Sequence, residues 1–417
     1  MESVAIVSAV RTPIGAYLGA LRDVPAYDLL AAVLNEAVKR AKVDPVEVDD
    51  VIAGQCYQSG EYVNIARMGA LTAGWPVTVP GITLDRRCTS GLDAIAIGAM
   101  QIQTGASDIV VASAVESMST VEFYIPGPIR WGIGRGAGIQ YPDAPRGHGS
   151  LKLYGMVIYD RIQRSRPMHQ PISRFGELVS NMAWAENVAK ELNITRDECD
   201  RWALRSHQRA IAAIDSGKFK EYIVPIKIQT EKGEKIVDTD EGPRRDTSLE
   251  ALAKLRPVLG GVCTAGNSSQ ENDAAAAFVL MSESMAKKRG LEPLAYLKSW
   301  AKAADDPWNP PKAGTRAFKK ALEKAGLTIE QVDLFEIQEA FAAQCLYNIK
   351  TLGVPEALYD RINVNGSGIS LGHPLGATLS LRTCGLVHEM KKRNARYGLV
   401  GTPGAGAIAV AGVFERR

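Results

Sequence analysis

Asp85-Arg86-Arg87-Cys88-Thr89-Ser90-Gly91-Leu92-Asp93-Ala94 sets a cysteine between two kinds of local structure. Before it, the apolar run Gly81–Leu84 has strand character. After it, Leu92, Ile95, Ala96, Ala99 and Met100 recur at helical spacing. Cys88 therefore falls at or just before a helix N-terminus. The unpaired N–H groups and positive dipole end there favour a thiolate and any oxyanion beside it. A free cysteine is also commonly an inert apolar residue, so assigning a nucleophile needs the rest of the chain.

Outward from this turn, strands and helices alternate. Residues 4–10 are a continuous apolar strand, broken by Arg11-Thr12-Pro13-Ile14-Gly15. A helix is expected over 27–41, a strand over 48–54, a helix over 65–73 closed by Trp75-Pro76, and a strand over 108–114. The alternation predicts an α/β layered fold with a central sheet. Residues 119–259 differ. The 125–149 stretch is rich in glycine and proline with scattered Arg130, Arg135 and Arg146, and reads as a long functional loop. Helices are expected over 175–192 and 195–216, the second opened by the capping box Thr195-Arg196-Asp197-Glu198. A polar stretch, 229–249, follows. This region is expected to be an insertion covering the mouth of the Cys88 site.

Sheet-like pattern resumes over 274–281. Strands are expected over 296–304, 333–337, 362–365, 397–401 and 407–414. Helices are expected over 314–325, ended by Gly326 at the C′ position, and over 340–352 and 377–391. The order of elements in 1–118 recurs in 290–417, a weak internal duplication. It divides the chain into a first half (1–118), an insertion (119–259), a return to the first half (260–289) and a second half (290–417). Duplication would put Cys88 and His373 at equivalent turns facing one another.

The 417 residues are 46% hydrophobic and 23% charged, an ordinary globular balance. A net charge of +3 gives no reason to expect nucleic acid as a partner. No apolar run reaches the roughly 18 residues of a membrane span, and the first strand begins at once, without a signal peptide. Six cysteines without a Cys-x-x-Cys pair, and five histidines without ligand spacing, predict a reducing cytoplasm and no bound metal.

Four segments carry the chemistry: Cys88-Thr89-Ser90-Gly91-Leu92, Gln338-Glu339-Ala340-Phe341-Ala342, Gly372-His373-Pro374-Leu375-Gly376-Ala377 and Gly404-Ala405-Gly406. With Arg11-Thr12-Pro13-Ile14-Gly15, Glu116-Ser117-Met118-Ser119, Ala185-Glu186-Asn187-Val188-Ala189, Thr264-Ala265-Gly266-Asn267-Ser268-Ser269 and Asn272-Asp273-Ala274-Ala275-Ala276, the chain resembles the thiolase family nearly end to end. The resemblance implies two βαβαβαββ halves in a five-layered α-β-α-β-α arrangement with an inserted loop domain. It implies CoA-dependent cleavage of a 3-oxoacyl-CoA, coenzyme A being a co-substrate and no cofactor being held permanently. Such a site needs an activated nucleophile, an acid/base group and donors for two oxyanions. By resemblance Cys88 is the nucleophile. His373 takes its proton and helps bind the thioester oxygen. Gln338 stands where the family holds a catalytic water, and the N–H groups of Cys88 and Gly404 form the other oxyanion hole. Arg244, Ala265 and Ser269 match coenzyme A contacts.

The chain departs from the family in three places. No second cysteine precedes the last glycine turn, which reads Gly401-Thr402-Pro403-Gly404, and Cys384 lies back in the preceding helix. Either Thr402 positions a water, or His373 takes on more, or the proton comes from substrate or solvent. Gln338 replaces the usual asparagine; it either reaches the thioester oxygen itself or is a simple amide exchange. Asn181-Met182-Ala183-Trp184 and Asp306-Pro307-Trp308-Asn309 replace pocket-lining segments, so Trp184 and Trp308 either reshape the acyl pocket or pack in the core.

These departures suggest a bulky, branched or aromatic substrate. Within the family they are similar to the thiolase-type subunit of benzoylsuccinyl-CoA thiolase, whose products are benzoyl-CoA and succinyl-CoA. Arg86, Arg87 and the 125–149 arginines are candidates for a substrate carboxylate. The resemblance also implies a homodimer built on the Cys88-side sheet, with the 108–114 strand buried there, and allows a small zinc-ribbon and OB-fold partner subunit. The alternatives are an acetoacetyl-CoA thiolase, a Claisen condensing enzyme, and a degenerate thiolase acting as an acyl-CoA-binding or scaffold subunit.

Overall fold

The computed structural model describes residues 2–126, 150–153, 156–178 and 180–417. Its strands are β1 (Val4–Arg11), β2 (Gly15–Ala16), β3 (Asp50–Gly54), β4 (Gly81–Leu84), β5 (Ile109–Ser117), β6 (Phe123–Tyr124), β7 (Ser150–Leu153), β8 (Met156–Asp160), β9 (Ile226–Thr230), β10 (Gly233–Val237), β11 (Asn272–Ser282), β12 (Ala295–Ala304), β13 (Leu334–Ile337), β14 (Tyr397–Gly404) and β15 (Ile408–Glu415). One ten-stranded sheet runs β13-β14-β15-β12-β1-β11-β5-β3-β4, with β2 paired to β11 off that path.

The duplication is explicit in the pairing directions. In the first half β1, β11 and β5 are antiparallel neighbours, and β3 and β4 continue in parallel. In the second half β12, β15 and β14 are antiparallel, β13 continues in parallel, and Ile362 bridges Phe335 in parallel where β4 has its counterpart. The halves join where β1 meets β12, from Val4 opposite Leu297 to Ile6 opposite Ala295.

Side chains alternate between the two faces of each half-sheet, and each face has its own helices. Val110, Leu280 and Phe278 point into a central layer with Leu92, Ile95 and Ala99 of helix Ser90–Thr104 and Leu379, Leu386 and Val387 of helix Thr378–Arg393. Val111 and Val279 point the other way, onto Leu29, Leu30, Val33 and Leu34 of helix Ala26–Ala41. In the second half Leu399, Ala411 and Val413 meet Ala317, Phe318 and Ala321 of helix Pro310–Ala325. The order is thus helix, sheet, helix, sheet, helix, as expected.

The two central helices begin side by side. A Cβ at Gly91 would lie 2.7 Å from the Ser380 backbone nitrogen, so only glycine lets their first turns approach so closely. The turns that precede both helices, carrying Cys88 and His373, are thereby brought to one place.

Several expectations need correction. The helix expected over 175–192 is two, Ile172–Phe175 and Met182–Glu191, because Gly176 adopts φ +78 and ends the first. The helix expected from 314 starts at Pro310, since proline is well suited to a first turn whose N–H groups are unpaired anyway. β14 runs through Pro403 to Gly404 because it forms a tight hairpin with β15. The 108–114 strand is not at an edge: β5 is paired on both sides by β11 and β3, and the edge strand is β4, with Ile82 half exposed. Within 119–259 the polar stretch contains the hairpin β9–β10. Arg130, Arg135 and Arg146 lie outside the described residues. No helix among the described residues is long and apolar enough to cross a membrane.

Candidate active site

Cys88 sits in a tightly bonded turn between β4 and helix Ser90–Thr104. The Arg87 N–H donates to Asp85 Oδ1 at 2.7 Å, the Ser90 hydroxyl donates to the Arg87 carbonyl at 2.7 Å, and Thr89 Oγ1 donates to the Arg86 carbonyl at 2.7 Å. Arg87 is held at φ +50, a conformation rare for a residue with a side chain and most often kept at functional turns.

The His373 turn belongs to the second half but is held by the first. Asn272 of β11 accepts the His373 N–H at 2.8 Å and donates to the Gly15 carbonyl at 2.9 Å. Glu116 of β5, buried, accepts the Gly376 N–H at 2.8 Å and the N–H groups of Cys56 and Tyr57 at 3.0 Å. One carboxylate thus ties three loop amides beside the site. Glu116→Gln must turn an NH2 group toward some of those donors. It is expected to cost about 2–4 kcal/mol, read from the urea midpoint at unchanged m-value; a change under about 0.5 kcal/mol would remove the clamp from the account.

The tautomer of His373 follows from its neighbour. Thr378 Oγ1 donates to the Pro374 carbonyl at 3.0 Å, so toward His373 Nδ1, 2.6 Å away, it accepts. Nδ1 then carries the proton and Nε2 is a free base. Burial and the Arg382 charge lower His373 to about 3, so the ring is neutral at pH 7. Burial raises Cys88 to about 11, against N–H groups of Ala405 and of Cys88 itself that favour the thiolate. The resting pair is therefore thiol and imidazole. Alkylation of Cys88 by iodoacetamide, followed by peptide mass spectrometry, is expected to be slow at pH 7 and to rise about tenfold per pH unit toward 11. A rate independent of pH would mean a preformed thiolate.

Cys88, His373, Gly404 and Ala405 line one cavity of about 190 Å³, with Tyr57, Met118, Ile162, Met182, Trp184, Phe341 and Leu375 among its walls. Of the residues expected to carry the chemistry, Cys88, His373 and Gly404 line this cavity, and other details differ from the expectation. The donor at the Cys88 sulfur is Ala405, one residue beyond Gly404, whose α-carbon instead faces Arg87 and the Cys88 nitrogen. Gln338 does not line the cavity. Its Oε1 accepts from Arg382 Nε at 2.8 Å, and Arg382 Nη2 donates to the Gly372 carbonyl at 2.5 Å, so the longer side chain steadies the His373 turn from behind. A buried guanidinium needs acceptors, and Gln338 supplies one.

Thr402 and Cys384 also lie outside the cavity wall, and the Thr402 hydroxyl donates to the Pro403 carbonyl. Trp184 lines the cavity, its ring 4.9 Å from that of Phe341. Trp308 does not; its indole donates to the Phe175 carbonyl at 2.6 Å. Of the two arginines, Arg87 lines the cavity, while Arg86 is paired with Asp93 at 2.5 Å.

Arg244 and Ala265 line a second cavity of about 180 Å³, with His207, Leu252, Leu255 and Ser268. Ser269 lines the first cavity, and Gln270 lines both, so residues 268–270 are the wall between them. The Arg244 N–H donates to His207 Nδ1 at 3.1 Å, and burial and the Arg244 charge lower His207 to about 4.

His169 was not foreseen. It lines the Cys88 cavity from the inserted region, and neither ring nitrogen has a hydrogen-bond partner among the described residues. It lies in no motif and no regular element; its sequence signal is its place between Pro167 and Pro171 in an otherwise irregular stretch.

A duplicated α/β fold that brings a cysteine at a helix N-terminus opposite a neutral histidine, with backbone donors at the sulfur, defines a cysteine-dependent acyltransferase. The thiolase N-terminal domain model matches residues 4–284 and the thiolase C-terminal domain model residues 291–416. The chain therefore belongs to the thiolase family. It is 41% identical over 403 residues to an acetyl-CoA acetyltransferase of Pseudomonas aeruginosa, covering 96% of this chain and 95% of that one. It is 40% identical over 419 residues to a beta-ketothiolase of Cupriavidus necator, covering 100% and 99%. The crystal structure of the Bacillus anthracis acetyl-CoA acetyltransferase superposes with a TM-score of 0.89 at 41% identity, covering 100% of this chain and 99% of that one. Human mitochondrial 3-ketoacyl-CoA thiolase gives 0.88 at 33% identity, covering 100% and 99%.

Proposed function

We propose that the chain cleaves a 3-oxoacyl-CoA thioester by thiolysis through an acyl group on Cys88, and that this acyl group is larger than acetyl. His373 Nε2 takes the Cys88 thiol proton as sulfur attacks the keto carbon. The N–H groups of Cys88 and Ala405, beside the sulfur, stabilise the keto oxygen as it gains charge. The bond to the α-carbon breaks, a shortened acyl-CoA leaves, and the thiol of coenzyme A takes the acyl group from Cys88. Arg244 and Ala265 hold the coenzyme A, whose thiol end passes the 268–270 wall.

The observation that carries the larger acyl group is the apolar wall of the Cys88 cavity, where Trp184 and Phe341 stand with Met118, Ile162, Met182 and Leu375. Arg87 adds a charge there. Its guanidinium makes no hydrogen bond among the described residues beyond a loose ion pair to Asp85 at 4.0 Å, which suits an acyl-CoA bearing a carboxylate. 2-Benzoylsuccinyl-CoA, giving benzoyl-CoA and succinyl-CoA, has both features. The similarity to acetyl-CoA acetyltransferases favours a second reading, acetoacetyl-CoA as substrate.

The test is coenzyme A-dependent loss of 3-oxoacyl-CoA absorbance across thioesters from acetoacetyl to aryl and dicarboxylic, with the chain alone and with any co-purifying protein. Turnover of aryl or carboxylate-bearing thioesters is expected. Robust cleavage of acetoacetyl-CoA alone would establish the second reading, and activity restored by a co-purified subunit would establish a hetero-oligomer. The exposed edge strand β4 is the proposed surface for a homodimer, and the cytoplasm the proposed location.

A further inference from the structure

A thiolysis of this kind moves two protons, one from the attacking thiol and one onto the carbon released as a carbanion. His373 accounts for the first. No cysteine among the described residues lines the cavity apart from Cys88. Among the described residues, the other lining side chains that titrate are Tyr57, Arg87, Arg166, His169 and Glu271; the hydroxyls, amides and indole of Ser180, Asn181, Trp184, Ser269 and Gln270 are too weakly acidic and basic to cycle a proton. Tyr57 shares a hydrogen bond with Ser165 at 2.8 Å, and Arg166 and Glu271 form an ion pair with each other. The Arg87 guanidinium is too weak an acid to give and retake a proton. Cys56 is near the Cys88 thiol but bonds to Glu116 and lies outside the lining. His169 remains, with both ring nitrogens buried and without a hydrogen-bond partner among the described residues. Its main chain lies against the glycine turn that carries the Ala405 donor: a Cβ at Gly406 would come 3.3 Å from the His169 carbonyl oxygen.

Resting on the thiolysis reading above, we propose that His169 is the second acid/base residue, giving the proton to the carbon α to the thioester and, in reverse, removing it. The bond between the keto carbon and the α-carbon breaks, and its electron pair stays on the α-carbon. One His169 nitrogen takes up, through one water molecule, the proton that His373 removed from Cys88, and the α-carbon takes the proton on the other nitrogen of the imidazolium so formed. His169 ends neutral with its tautomer exchanged, His373 returns to a free base, and the Cys88 proton has been replaced on carbon. In the second half the proton of the coenzyme A thiol returns to the Cys88 sulfur. Burial and the Arg87 charge lower His169 to about 3, so the resting ring is neutral, with one nitrogen to donate and one to accept.

The test compares the unaltered chain, His169→Ala and His169→Cys with the substrate found in the panel above. Exchange of labelled coenzyme A into the product acyl-CoA made on Cys88 reports acyl transfer without any carbon acid. Deuterium uptake from D2O at the α-carbon of the other product reports the carbon proton. In His169→Ala, thiolysis and deuterium uptake are expected to fall about 10²–10⁴-fold, while coenzyme A exchange changes less than about threefold. His169→Cys is expected to recover at least about tenfold of the alanine variant's loss. Equal losses in all three assays, or a fall in deuterium uptake under about tenfold, would overturn the proposal. An unaltered chain that neither acylates Cys88 nor exchanges coenzyme A would overturn the thiolysis reading, and this proposal with it.

Discussion

Cys88→Ser is expected to lower thiolysis by at least about 10⁴-fold while leaving the fold and coenzyme A binding intact. The change replaces one atom. The turn that holds residue 88 is bonded through Asp85, Thr89 and Ser90, none of which contacts the sulfur in doing so. The Arg244 cavity is a separate space behind residues 268–270. What changes is the acid that His373 must deprotonate. A thiol at about 11 already asks much of an imidazole near 3, and an alcohol asks several orders of magnitude more. The N–H groups of Ala405 and Cys88 that favour a thiolate cannot close that gap. The measurements are kcat on the best substrate, a thermal melt, and the affinity for coenzyme A. Residual activity above about 1% with normal melting would mean that the acyl group is not carried at residue 88.

The reason much of this could be read in the sequence is that the chemistry sits where strands turn into helices. Hydrophobic periodicity marks such places well: the shift from Gly81–Leu84 to the spacing of Leu92, Ile95 and Ala99 placed Cys88 at a helix start, and the glycines around His373 marked the matching turn. The repeat was legible only as an order of elements, because its true signature is the pairing direction of strands far apart in the chain, such as β1 with β12. Residues whose meaning depends on a long-range partner were not legible. Gln338 is directed by Arg382, Trp308 by the Phe175 carbonyl, and Glu116 by three loop amides. His169 was hidden for the opposite reason. It is brought to the site by an irregular segment that obeys no period, and its distinguishing property is that neither ring nitrogen has a hydrogen-bond partner among the described residues.

His373→Asn is expected to lower kcat about 10²–10⁴-fold near pH 7, with a deficit that shrinks as pH rises. The backbone reason for the turn survives the change, since Asn272 accepts the main-chain N–H of residue 373 and Glu116 the N–H of Gly376. The side chain loses Nε2, the free base that the Thr378 hydroxyl sets by accepting from Nδ1. The sign of the pH effect follows from the two shifts. His373 is lowered to about 3, so the base form is fully present throughout the neutral range and is lost only in strong acid. The unaltered chain should therefore show no acid limb from this residue between pH 5 and 8. Cys88 is raised to about 11, so without a base the reaction depends on the small thiolate fraction, which grows about tenfold per pH unit up to 11. The variant's rate should follow that slope while the unaltered chain's rate rises less steeply, and the two curves should converge in alkali. A deficit constant from pH 6 to 9 would show that His373 acts as a hydrogen-bond donor to the thioester oxygen and that some other group takes the Cys88 proton.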